Sequence, residues 1–308
     1  MSGLFHRPVL LDEVVKYLVT DKQGTYLDCT VGLGGHAEGI LRILVPPGKL
    51  VGIDRDEQAL QAARDRLKEF QNLTLLKLNF GHMEELTKLW GAGKFSGILL
   101  DLGLGSWQIN LPERGFSYLE EGPLDMRMDK NQGLSARDVV NSYSQIELVR
   151  IFSEFGEEKL SKRIAKKIAE AQGKIDTTSQ LTALVSKVVP TRYRIKTLSR
   201  IFQAIRIEVN KESEELAQAL KIAPGLVKFG GRIGIISYHS LEDRLVKQSF
   251  QRLSKKCLCP PGSPVCTCGG RARWKLVTKK PVIPSRQETE QNSRARSAKF
   301  RVIERMAA

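Results

Sequence analysis

Three carboxylates, each closing an apolar run, are the side chains best placed to do chemistry: Asp28 in "TYLD", Asp54 in "KLVGID" and Asp101 in "FSGILLD". Between the first two lies Gly32-Leu33-Gly34-Gly35-His36-Ala37, which satisfies G-x-G-x-x-G/A, the spacing of a nucleotide-binding turn. Glycines there let backbone N–H groups approach a ligand, and a helix N-terminus follows. Asp54 comes about 20 residues after the loop, where a carboxylate can accept the hydroxyls of a ribose. The pattern fits a nicotinamide dinucleotide, another adenosine cofactor, or a tight turn of purely structural purpose. Charge leans towards the second. A pyrophosphate favours a helix N-terminus without nearby anions, whereas Asp28 and Asp101 flank this one. S-adenosylmethionine (SAM) has no phosphate and carries a sulfonium and an ammonium, which carboxylates favour. Phe80, at the end of a third apolar run, suits stacking on adenine. Later, "SYHSLEDR" offers His239 as a proton acceptor or as a helix cap, with Tyr238 beside it able to stack on a base.

These residues need a sheet to bring them together. Strand-like runs at 25–31, 49–54, 73–80 and 95–103 alternate with helical patterns, which predicts a parallel sheet with right-handed crossovers. A fifth buried strand is expected at 230–237, and two more at 274–280 and 298–306. The interval 106–196 is too long for one crossover and reads as helices, with Ser135, Ser144 and Thr177 as N-caps and Pro190 as a stop. A helix over 198–220 is expected to return the chain to the sheet. The expected fold is α/β: a discontinuous Rossmann-like domain, 1–105 and 197–308, with an all-helical domain inserted at 106–196.

Composition narrows the partners. The 308 residues are 41% hydrophobic, enough for one large core or two modest ones. No apolar run approaches the roughly 20 residues of a membrane span, and Asp12 and Glu13 interrupt the N-terminal stretch, so a cytoplasmic protein without a signal peptide is expected. Charge is lopsided: residues 244–308 hold 16 Lys/Arg against 3 Asp/Glu. That asymmetry calls for a polyanion, nucleic acid being the usual one, or else a solvated basic tail. A helix over 157–172 groups Lys159, Lys162, Arg163, Lys166 and Lys167 on one face, a rail for phosphates. Cys257, Cys259, Cys266 and Cys268 form C-x-C…C-x-C, a spacing open to a zinc hairpin but tighter than the usual one. No metal is needed for the chemistry expected here.

Several segments, in order and across nearly the whole chain, carry a resemblance: "FHRPVLLDEVV" (5–15), "DCTVGLGGH" (28–36), "ERGFSY" (113–118), "GPLDMRMD" (122–129), "FQAIRIEVN" (202–210), "SYHSLEDRLVK" (237–247) and "SRARSAKFRVIER" (293–305). Together they resemble the RsmH (MraW) family of bacterial 16S rRNA cytosine-N4 methyltransferases. The resemblance implies a SAM-dependent enzyme acting on a cytosine in the decoding region of the small ribosomal subunit, working as a monomer or homodimer. It implies SAM contacts at Gly34, Gly35, His36, Asp54, Phe80, Asp101 and Gln108, and an inserted domain that recognises RNA. Arg114, Arg127, Lys166 and Arg294 are the candidate RNA contacts, with Arg127 equally open to a structural role in which it and Asp125 lock the insert onto the sheet domain. Two segments depart from the family pattern: "DLGLGSWQ" (101–108), with Gly105 and Trp107 in place of Ser and Pro, and "KTLSR" (196–200), with Lys196 in place of His. The Asn/Asp-Pro-Pro-aromatic turn of many amino-methyltransferases is missing after strand four, which leaves Asp101 or His239 to orient the amine and take its proton. A nicotinamide oxidoreductase and a non-catalytic RNA-binding protein are the rival readings.

Overall fold

The computed structural model describes residues 8–256, 259, 265 and 272–307. Seven strands form one sheet: β1 (Thr25–Asp28), β2 (Lys49–Asp54), β3 (Leu73–Lys77), β4 (Phe95–Asp101), β5 (Val227–Ser237), β6 (Trp274–Leu276) and β7 (Lys299–Arg305), in the order β3-β2-β1-β4-β5-β7-β6. The first five run parallel, and β7 is antiparallel to both its neighbours. A dinucleotide-binding fold of two parallel halves has no such reversed strand. Parallel strands covered on both faces need unbroken apolar runs. In β4 the six residues before Asp101 are all buried.

Alternation along the strands sends successive side chains to opposite faces. Tyr26, Leu50 and Leu99 pack against α1 (Leu11–Leu18), α2 (Gly35–Leu41) and α3 (Glu57–Arg66). Leu27, Val51 and Leu100 build the core on the other face. Register then sets the polar edge. Asp28 pairs with Gly52 and Leu99, so Asp54 and Asp101 each lie two residues farther along their strands.

A second compact unit runs from Leu104 to Ser213, while the first comprises the chain through Gly103 and from Glu214 onward. The second is helical: α4 (Ala136–Ser142), α5 (Gln145–Glu154), α6 (Ser161–Ala169), α7 (Thr178–Val188) and α8 (Arg194–Asn210). Ser135, Ser144 and Thr177 cap three of these with reciprocal capping boxes to Asp138, Glu147 and Gln180, as their sequence pattern predicts. Its core joins Val140, Ile151, Phe152, Ile164, Leu181 and Ile205.

The return from this unit differs from the sequence expectation. Residues 198–220 are two helices rather than one, because Lys211 takes a left-handed φ of 52° between α8 and α9 (Glu212–Leu226). Leu198, Ile201, Phe202 and Val209 of α8 belong to the helical core. Buried Asn210 ends α8 by accepting the Met128 N–H (2.8 Å) and donating to the Met126 carbonyl (2.7 Å). The chain therefore rejoins the first unit after 213, not at 197, and α10 (Ser240–Leu253) follows β5. Among the described residues no helix is long and apolar enough to cross a membrane.

Candidate active site

The glycine turn sits between β1 and α2 and is tied to β2. Asp54 Oδ2 accepts the Gly32 N–H and Oδ1 the Asp56 N–H, both at 2.9 Å. Burial, the dominant influence, holds the Asp54 carboxyl above the usual carboxylate range despite these bonds. Gly34 has φ 80°, a left-handed conformation that favours glycine, and a Cβ there would also push on Leu67 Cδ1 at 2.9 Å.

Asp28 is 1% exposed. Its Oδ1 accepts the Thr30 N–H at 3.1 Å, and its Oδ2 has no hydrogen-bond partner among the described residues. Burial pushes this carboxyl up to about 7, against the pull of the nearby His36 and with a push from Asp101 and Asp54. His36, in the first turn of α2, is also buried. Its Nε2 lies 3.3 Å from Asp101 Oδ2 but off the hydrogen-bond line, so neither ring nitrogen is bonded among the described residues.

Asp101 is the best-held group of the cluster. Its N–H donates to Thr30 Oγ1 (2.7 Å), and its Oδ1 accepts the Tyr238 hydroxyl (2.8 Å). Burial first, and then the adjacent Asp101 charge, raises the Tyr238 phenol well above its ordinary value. Gly103, at φ 99°, leaves room for the Tyr238 ring, which a Cβ would approach to 3.3 Å. Tyr238 is thus bonded to the site rather than free to stack on a base. Phe80 opens the turn after β3, half-buried against the core, where Asn79 Oδ1 accepts the Gly81 N–H (3.0 Å).

His239 is the N-cap of α10. Its Nδ1 accepts the Glu242 N–H at 3.5 Å, a long contact, while Glu242 Oε2 accepts the N–H groups of Tyr238 (2.8 Å) and His239 (3.4 Å). Glu242 Oε1 also lies 3.0 Å from His239 Nε2, although the ring N–H is not aligned for a hydrogen bond. This is the helix-capping alternative of the sequence reading.

Gln108, Arg114, Arg127 and Lys166 belong to the second unit, and Arg294 to the first. Gln108 is buried on the short helix Ser106–Ile109 and accepts the Gly105 N–H at 3.2 Å. Arg114 corrects the sequence reading. At 2% exposed it cannot meet RNA from where it stands: its Nη2 donates to the carbonyls of Arg127 and Met128 (3.0 Å each), and its guanidinium packs on Trp107 and Phe116. Arg127 makes a two-pronged pair with Asp125 (2.8 and 2.9 Å) and donates to the Gln132 carbonyl. Lys166 is exposed on α6. Arg294 is half-buried in a turn before β7, and burial lowers its guanidinium pKa. Part of the carboxy-terminal charge is neutralised within its own unit: Lys299 and Arg301 pair with Asp243, and Lys275 with Glu304. Of the cysteines of the expected zinc hairpin, Cys257, Cys266 and Cys268 lie outside the described residues.

The donor set suits a cation. Asp28 Oδ2 is an orphaned acceptor beside Asp101, and both stand next to a turn whose backbone is held open by glycine. A pyrophosphate would meet repulsion there. Thr30 and Tyr238, as supports of Asp101, were the residues that sequence reasoning did not assign; the only trace of Thr30 is its place two residues after Asp28.

Comparison with known proteins identifies the family. The profile described as the MraW methylase family matches residues 3–306. "Ribosomal RNA small subunit methyltransferase H" of Caldicellulosiruptor saccharolyticus is 47% identical over 304 residues, covering 98% of this chain and 99% of the relative. The proteins of the same name from Clostridium botulinum (strain Loch Maree / Type A3) and Halothermothrix orenii are each 44% identical, again over 98% of this chain and 99% of theirs.

Proposed function

The chain belongs to the MraW methylase family, and on that premise we propose that it methylates the N4 amine of a cytosine in the decoding region of 16S rRNA, with SAM as donor. The observation that carries the reading is the cluster of Asp28, His36, Asp101 and Tyr238 beside the glycine turn, at the carboxyl edge of the sheet. When bound, SAM supplies an electrophilic methyl on a sulfonium.

Each residue then has a task. Asp54 keeps lone pairs beyond its bonds to Gly32 and Asp56, and these accept ribose hydroxyls. Gly34 and Gly35 let backbone approach the cofactor, His36 lines the turn, Phe80 stacks on the adenine, and Gln108 is carried over from the family pattern. Asp101 places negative charge near the cationic groups, and Asp28 adds to it when it gives up its proton. A cytosine amine is a weak nucleophile because its lone pair is conjugated with the ring, so alignment and a proton acceptor are what the protein must provide. Asp101 Oδ2 is suited to both, since Tyr238 fixes Oδ1. His239 serves α10. The helical unit and the basic residues of 244–308 contact the rRNA, and the work is done in the cytoplasm.

The test is to map methylated cytosines in 16S rRNA from cells with and without this protein. Loss of one N4-methyl in the decoding region upon deletion, restored by the intact gene and not by an Asp101→Asn copy, is the expected result. An unchanged map would overturn the assignment.

A further inference from the structure

The helical unit carries surface charge that its own fold does not use. Lys159, Lys162, Arg163 and Lys166 are exposed and make no hydrogen bond or ion pair among the described residues, whereas Lys167 is matched with Glu170 at 3.0 Å. The opposite face of α6, with Ile164, Ala165 and Ile168, is fully buried. Like charges one turn apart repel, so this helix carries its cations at a small cost to itself.

A second cluster stands at the entry to α8. Tyr193 is 48% and Ile195 69% exposed, Lys196 is exposed, and the Arg192 guanidinium lies over the Tyr193 ring at 4.6 Å. The two clusters are fastened together. Arg200, one turn past Lys196, reaches Glu158 (3.4 Å), which is next to Lys159, and Gln203 donates to the Phe155 carbonyl (3.0 Å). Tyr193 is roughly 10 Å along the chain axis from Arg200, at 1.5 Å per residue.

Resting on the proposed RNA substrate, we infer that this surface docks RNA containing an unpaired nucleotide, whose base stacks on Tyr193 while flanking phosphates meet Lys159, Lys162, Arg163 and Lys166. Two observations choose that partner. An exposed phenol already faced by a guanidinium offers the stacking and cation–π surface that single-stranded bases use. The unpartnered cations offer the electrostatic track that backbones use. In an A-form duplex the base faces are hidden, so an aromatic platform adds nothing there.

The test compares a labelled hairpin RNA with an open loop and a blunt duplex, titrated with intact protein at several salt concentrations. Tyr193→Ala should weaken hairpin binding about five- to a hundredfold and leave the duplex nearly unchanged, while Tyr193→Phe restores the hairpin. Changing Lys162, Arg163 and Lys166 together to Gln should weaken both RNAs and reduce the slope of log affinity against log salt by about two to three. SAM affinity and thermal melting, measured on each variant, should match wild type. If both variants bind both RNAs as wild type does, this surface is overturned and the proposed reaction stands. A wild-type protein that binds neither RNA overturns both. A reduced salt slope with Tyr193→Ala unchanged removes the stacking platform and refutes the unpaired-base assignment.

Discussion

Asp28 and Arg114 are almost equally inaccessible, at 1% and 2% exposed, yet the two units treat them in opposite ways. In the first unit Asp28 leaves one oxygen unbonded, and its neighbour His36 leaves both nitrogens so. In the second, Arg114 bonds two carbonyls and packs on two aromatic rings, Arg206 pairs with Glu212 through both prongs at 2.8 Å, and Asn210 is bonded at each end. The reason is chemical. A carboxyl can escape the cost of burial by keeping its proton, whereas a guanidinium cannot lose its charge and must be bonded. The under-bonded carboxyl and imidazole stand at the site proposed for the cofactor, whereas bonded Arg114, Arg206 and Asn210 brace the helical unit, whose unpartnered cations lie outside on α6.

Asp101→Asn should break the first unit's side of this contrast most severely. The amide keeps an acceptor for the Tyr238 hydroxyl but loses the charge, so single-turnover methyl transfer should fall about 10²- to 10⁴-fold. Calorimetry should show weakened SAM binding in the same variant. A wild-type rate would remove Asp101 from the chemistry.

Next in size is the pH dependence set by Asp28. Its folded pKa, about 7, lies above the ordinary 3.8. The stability of the protonated form is therefore complete below about pH 4 and is lost as pH rises to about 7, at most about 4 kcal/mol. Urea unfolding across that range should show the decline, and Asp28→Asn should flatten it. A wild-type curve without that decline would mean that Asp28 is ionised in the folded protein.

Arg114→Ala tests the scaffold. Removing a buried, bonded and stacked side chain should cost about 3 kcal/mol, read as a lower urea midpoint. The salt dependence of RNA binding should be unchanged under conditions where the variant is folded. A flatter salt slope would return Arg114 to the RNA contacts.

The smallest effect is expected for His239→Ala, about 1 kcal/mol from a lost N-cap, with turnover retained. A variant of full stability but slowed single-turnover transfer would instead make His239 the proton acceptor.

How much of this was readable in advance varies by residue. The strands ending in Asp28, Asp54 and Asp101 were visible because a parallel strand covered on both faces is an apolar run with a polar end. The caps Ser135, Ser144 and Thr177 were visible because a capping box is local. Lys211 was not, since a left-handed break in a strongly helical stretch depends on which core claims α8. Nor was the burial of Arg114, since an arginine in a loop motif has the same composition whether it faces solvent or a pair of carbonyls.

Sequence alone therefore determined the α/β alternation, the glycine turn, the carboxylates ending β1, β2 and β4 and, through motif resemblance, the family to which the chain belongs. Each is a local pattern or an ordered set of such patterns. Only the tertiary structure decided that β7 runs antiparallel between β5 and β6, and that Tyr238 and Thr30 hold Asp101. It also decided that His239 caps a helix and that Asp28 is left with an unbonded oxygen. Those outcomes join residues as far apart as 137 positions, as Tyr238 and Asp101 are. Their energies depend on burial and on what else competes for each lone pair, and neither quantity exists until the chain has folded.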